Sequence, residues 1–145
     1  MSFEEIRVIT IVYLAVLLPL VIYFTNKSKI PSWIPSFYIV SIVVCALGWE
    51  LWFTYGWLDG DAVNIRRSEA LNTWLPKNIN WLMNSIGDAG AVLCVGVWLM
   101  WITHKKDPIV FKKWKWSAFS IFLIWCIGQN ILVEMFLYHD QLADD

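Results

Sequence analysis

Charged side chains are scarce in this chain: they make up 16% of its 145 residues, against roughly a quarter in a soluble domain. With 59% of residues hydrophobic, that scarcity turns the reading away from a soluble globular protein. Histidine and cysteine are also few. Cys45, Cys94 and Cys126 are odd in number and lie in separate apolar runs, so no disulfide framework follows. Neither they nor His104 and His139 have partners at metal-ligand spacing, so no metal and no cofactor are expected. Asp59-Gly60-Asp61 followed by Asn64 lacks the sixth-position glycine and the twelfth-position acid of a calcium loop. There is no internal repeat, nucleotide loop, nucleophilic triad or nucleic-acid surface. No cleavable leader is expected either: Glu4 and Glu5 stand where basic residues would, with no small-residue cleavage site after the first apolar run. That run is expected to be a retained helix.

What is present are long apolar runs. Residues 8–24, 37–58, 79–103 and 116–138 each approach or exceed the ~17 to 25 residues needed to cross a bilayer. The expected architecture is all-α, a four-transmembrane-helix bundle forming one membrane domain over residues 1–145. No connection is long enough to bury a second core. Pro31, Pro35 and Asp107-Pro108 punctuate the connections, and Pro19 falls inside the first span. Lys27, Lys29, Lys105, Lys106, Lys112, Lys113 and Lys115 crowd one side against Asp107 alone, while Arg7, Arg66, Arg67 and Lys77 lie on the other. Positive loops stay cytoplasmic, so both termini are expected on the non-cytoplasmic side. Many of the 11 tryptophans (Trp33, Trp57, Trp74, Trp81, Trp101, Trp114, Trp116) fall at span ends, where amphipathic rings anchor at headgroup level.

Against this apolar background three acids stand out: Glu50, Asp88 and Glu134. An acid at a span centre costs roughly 2.5 to 3.5 kcal/mol, which makes each a functional candidate. Glu50 lies eight residues from the outer end of its span, roughly 12 Å in at 1.5 Å per residue. Asp88 and Asn130 fall at the same level, with Glu134 one turn shallower. Asn84 shares a helix face with Asp88, Asn130 with Glu134, and Thr54 with Glu50. Gln129 adjoins the fourth-span stripe, and Tyr13 lies in the same outer half. The expectation is a polar, outward-opening pocket above a dry inner half, capped by residues 59–78. The competing reading is structural, since interhelical hydrogen bonds among such groups also hold membrane bundles together.

A protonated carboxyl in an apolar cavity can act as a general acid, and an ionised neighbour as base. Rings such as Trp49 and Trp52 can steady a cation through their faces. Leu47-Gly48-Trp49-Glu50-Leu51-Trp52-Phe53 resembles the Trp-Glu helix of the integral-membrane terpene cyclases that fold fungal meroterpenoids and indole terpenoids. That resemblance implies that Glu50, with a second acid on a later helix, protonates a prenyl epoxide and governs the resulting cation. The family is typically seven-helical and carries its second acid on the final helix, where this chain has Glu134. The expected catalytic set is Glu50, Asp88 and Glu134. The expected substrate contacts are Tyr13, Trp49, Trp52, Asn84, Gln129, Asn130, Arg66 and Arg67, the two arginines at the pocket mouth. The substrate is an apolar or amphiphilic small molecule, and the reaction an acid-catalysed isomerisation or cyclisation of a terpenoid or sterol-like lipid. Two rival readings stay open: a non-catalytic accessory subunit of a larger membrane complex or homo-oligomer, and ion or proton passage. The lysine-rich third connection needs no ligand beyond anionic membrane lipid.

Overall fold

The computed structural model describes residues 1–28, 30–56, 60–133 and 135. Among them are helices, turns and no strand. Four stretches are long and apolar enough to cross a membrane: Phe3–Asn26, Trp33–Tyr55, Lys77–Thr103 and Trp116–Val133. Within the described residues the four apolar runs expected from the sequence are largely helical. Their internal structure is less uniform than hydropathy implies. The chain divides into two compact units, Met1–Gly90 and Ala91–Asp145.

In the first unit, α1 (Phe3–Asn26) begins several residues before its apolar run because Ser2 and Glu5 form a capping box. Ser2 Oγ accepts the Glu5 N–H at 3.2 Å and Glu5 Oε2 accepts the Ser2 N–H at 2.6 Å, so two orphan donors are satisfied reciprocally. The helix continues through Pro19.

The second span is two helices, α2 (Trp33–Leu47) and α3 (Trp49–Tyr55), broken at Gly48 with φ −88° and ψ −123°. The Gly48 N–H still reaches Val44 O at 2.9 Å. A Cβ at this position would lie 2.7 Å from that same oxygen, so only glycine takes the bend without displacing main chain. The break frees the Ala46 carbonyl, and the Trp81 indole N–H donates to it at 2.8 Å. Gly56 ends α3 in the left-handed region at φ +80°, and Arg66 Nη2 donates to Phe53 O at 2.8 Å.

The second connection folds into two short helices, α4 (Val63–Arg66) and α5 (Glu69–Trp74), the latter capped by Ser68. Leu71 and Leu75, 3% and 0% exposed, enter a core with Val8, Val12 and Met83. Burying a leucine contributes about 1.5 to 3 kcal/mol, so this core pins the connection across α1 and the following helix. Polar ties reinforce it: Tyr13 donates to Trp74 O at 3.1 Å, Arg67 Nε to Asn72 Oδ1 at 2.7 Å, Arg67 Nη2 to Leu75 O, and Ser68 Oγ to Glu5 Oε1.

Pro76 opens α6 (Lys77–Asp88), which runs into a π-helical turn, Ala89–Cys94, and then α7 (Val95–Thr103). In the second unit α7 packs antiparallel to α8 (Trp116–Val133). Gly96 permits the approach, since a Cβ there would lie 2.7 Å from the Phe122 ring. Trp125 Nε1 donates to Ala91 O in the π turn at 2.8 Å. His104 Nδ1 lies 2.8 Å from Met100 O, an acceptor only, so Nδ1 carries the proton. Its Nε2 meets Ser117 Oγ at 2.9 Å, tying α7 to α8.

Many large apolar side chains are exposed, while several polar ones are buried beside the apolar core. Leu17, Leu18, Val21, Ile22, Ile39, Val40 and Ile124 are exposed, while Ser41, Glu50, Thr54, Asn80 and Ser85 are buried.

Candidate functional site

Two of the three expected acids meet. Glu50 stands in the first turn of α3, immediately after the Gly48 break, and is 7% exposed. The unpaired N–H groups of a first turn favour an acid there. Asp88 closes α6 just before the π turn. The two carboxyls lie within hydrogen-bonding reach of each other, and the Trp49 indole N–H donates to Asp88 Oδ2 at 2.6 Å. Neighbouring residues Trp49 and Glu50 thus both engage Asp88, and both follow directly from the change of direction at Gly48. Cys45, fully buried, lies within electrostatic range of both acids. Thr54, one turn beyond Glu50, is buried, and Asn84, one turn before Asp88, is half-buried.

Hydrogen-bond chemistry limits what this pair can be. An ionised carboxylate only accepts, so a bond between two carboxyls requires a proton on one of them. A donor such as the Trp49 N–H serves an anion better than a neutral acid. With the Trp49 N–H on its Oδ2, Asp88 is an acceptor in this arrangement. Around the pair, main-chain groups at the irregular helix ends are satisfied by aromatic donors: Trp81 to Ala46 O, and the Tyr38 hydroxyl to Ile86 O at 2.9 Å.

The other expected contacts stand elsewhere. Tyr13, Arg66 and Arg67 donate to main-chain carbonyls or to Asn72, as described above. Trp49 and Trp52 are 39% and 44% exposed, so each ring presents part of its face outward. Gln129 Nε2 donates to Cys126 O on its own helix at 3.2 Å. Asn130 is exposed on α8, and both residues belong to the second unit. Glu134 lies outside the described residues.

Sequence reasoning passed over Gly48, Tyr38 and Trp81, treating the last as an interfacial anchor. A signal for Trp81 was there: it precedes Asp88 by seven residues, two helical turns on one face. Gly48 directly before the Trp-Glu pair was the signal for the break. Among the described residues no group of three His, Cys, Asp or Glu side chains is placed to hold a metal ion.

Comparison with family models, curated proteins and solved structures returns no match to this chain.

Proposed function

We propose that the chain is an integral membrane protein in which Glu50 and Asp88 form an acid–base pair acting on an apolar or amphiphilic lipid. The reaction is an acid-catalysed isomerisation or cyclisation of a terpenoid or sterol-like skeleton. Glu50 transfers its proton to an alkene carbon, leaving a carbocation. The cation is attacked by a second π bond or goes directly to the final step, in which a C–H proton passes to the waiting carboxylate. The product is an isomer of the substrate, and no oxidant or reductant is consumed. The outward rings of Trp49 and Trp52 steady the cation through their π faces. The Trp49-Glu50 pair is the part of the chain that resembles the membrane terpene cyclases, with Asp88 as the acid that Glu50 meets.

The observation that carries this reading is the buried carboxyl pair with an indole N–H on one member. A helix contact held for stability alone is served by an amide at less cost than a buried acid. The many exposed apolar side chains and the four helices of spanning length support the membrane setting. The lysine-rich side is taken as cytoplasmic, which puts both termini on the opposite face.

The test uses membranes containing the full chain, incubated in D₂O with a polyprenyl alkene. Mass spectrometry should find one solvent deuteron on carbon in the isomerised product, and Glu50→Gln and Asp88→Asn should each abolish the label. Undiminished labelling by Glu50→Gln would overturn the mechanism.

A further inference from the structure

The turn between α7 and α8 is a formed surface that the acid pair does not use. Lys105, Lys106, Lys112, Lys113 and Lys115 fall within it against one acid, Asp107. Asp107 is committed locally: its Oδ1 accepts the Ile109 N–H at 2.9 Å and caps the 3₁₀ turn Pro108–Phe111. Among the described residues none of the five lysines is drawn into an ion pair. The segment is not a loose loop. Val110 is 5% exposed, His104 bonds Ser117 across the helix ends, and Lys105 and Lys106 take left-handed φ values of 58° and 59° to close the turn. Trp114, Trp116 and Phe119 form a three-ring cluster with centroids 5.1 to 6.1 Å apart. The two indoles are nevertheless 66% and 71% exposed.

We propose that this turn is a binding surface for anionic phospholipid, with lysine ammoniums on the headgroup phosphate and the Trp114–Trp116 cluster against the glycerol and upper acyl chain. Charge complementarity selects the anionic headgroup. The exposed rings select a lipid over a free anion, because an amphipathic ring sits best where water meets hydrocarbon. A lysine near an anionic surface is worth ~1 kcal/mol, or about fivefold in affinity.

The detergent-purified full chain is titrated with short-chain phosphatidylglycerol, short-chain phosphatidylcholine and inorganic phosphate, at low and high salt. Phosphatidylglycerol should bind far more tightly than either control and lose affinity with salt. A triple Lys112→Gln, Lys113→Gln, Lys115→Gln variant should bind it about a hundredfold more weakly, and the triple arginine variant should retain it. Trp114→Ala with Trp116→Ala should weaken phosphatidylglycerol without touching any charge. Equal binding of the two lipids, phosphate binding as tight as phosphatidylglycerol, or an unaffected glutamine variant would overturn the proposal. So would displacement of the lipid by a polyglutamate peptide at lower concentration, which would identify an acidic protein as the partner.

Discussion

Replacing Gly48 by alanine tests whether the bend in the second span sets the acid pair. The added Cβ would lie 2.7 Å from Val44 O and 3.8 Å from Cys45 O. The first distance is about 0.7 Å short of ordinary van der Waals contact, which starts at 3.4 Å. The obstructing atom is main chain inside α2 and already accepts the Gly48 N–H at 2.9 Å, so it cannot swing aside as a side chain would. Either α3 shifts or the Gly48 bond breaks. Overpacking of this kind costs about 1 to 3 kcal/mol. Displacing catalytic groups by ~1 Å can cost about a hundredfold in rate. Gly48→Ala should therefore lower the midpoint of denaturant-induced unfolding in mixed micelles and also slow deuterium incorporation well beyond what lost folded protein explains. A variant with the stability and labelling rate of the natural chain would refute the account of the break. Lost stability with an intact labelling rate per folded molecule would show that the bend serves packing and not the acids.

Trp49→Phe keeps an aromatic ring at the position, though a smaller one, and removes the N–H on Asp88. A hydrogen bond to a charged group is worth about 1.5 to 3 kcal/mol, so labelling should slow roughly ten- to a hundredfold, and an unchanged rate would remove Trp49 from the site. Leu75→Ala, at a fully buried position of the core under the second connection, should cost about 2 to 5 kcal/mol in the same unfolding titration; a loss below ~1 kcal/mol would mean the connection is not part of the folded core. Gly96→Ala drives a Cβ to within 2.7 Å of the Phe122 ring, whereas a Cβ at Gly128 meets nothing within 4 Å. The first should destabilise by about 1 to 3 kcal/mol and the second should be neutral or gain up to ~1 kcal/mol of helix propensity. The reverse order would contradict the α7–α8 packing.

Hydropathy and depth carried the sequence reading a long way. Apolar length located all four long helices, because only a continuous run of the right length can present an apolar surface across a bilayer. Counting residues from the span ends put Glu50 and Asp88 at one level, and their carboxyls do meet. The interruptions were invisible to the same tools. A mean over an apolar window does not register a φ,ψ change at Gly48 or an extra residue per turn after Asp88. The tryptophans were ambiguous for a related reason: an indole has a large apolar body and one donor, so a span-end anchor and a buried carbonyl partner look alike in sequence. The packing of the second connection was hidden by its composition. Leu71 and Leu75 sit among polar neighbours whose charges read as a solvated loop, yet those two side chains are what the core with Val8 and Val12 is built on.

The two helix irregularities and the surplus of aromatic donors belong to one physical problem. A broken or widened helix leaves carbonyls without their usual N–H, and in apolar surroundings such groups are costly. Serine or threonine would satisfy them but fills little space, and lysine or arginine would bring a charge. An indole N–H or phenol O–H fills a large apolar volume and satisfies the carbonyl, and the indole leaves no polar valence over. Trp81 on Ala46 O and Trp125 on Ala91 O stand at the two irregularities, and Tyr38 adds a second donor to Ile86 O, which also accepts the Ala89 N–H. Trp49 applies the same chemistry to a carboxylate. Ring and donor together satisfy main-chain groups at these irregularities, and the break at Gly48 leads directly into Trp49 and Glu50. On this reasoning the aromatic donors and the acid pair are not separable features. Removing a donor should loosen the backbone irregularity first, and through it the contact between Glu50 and Asp88.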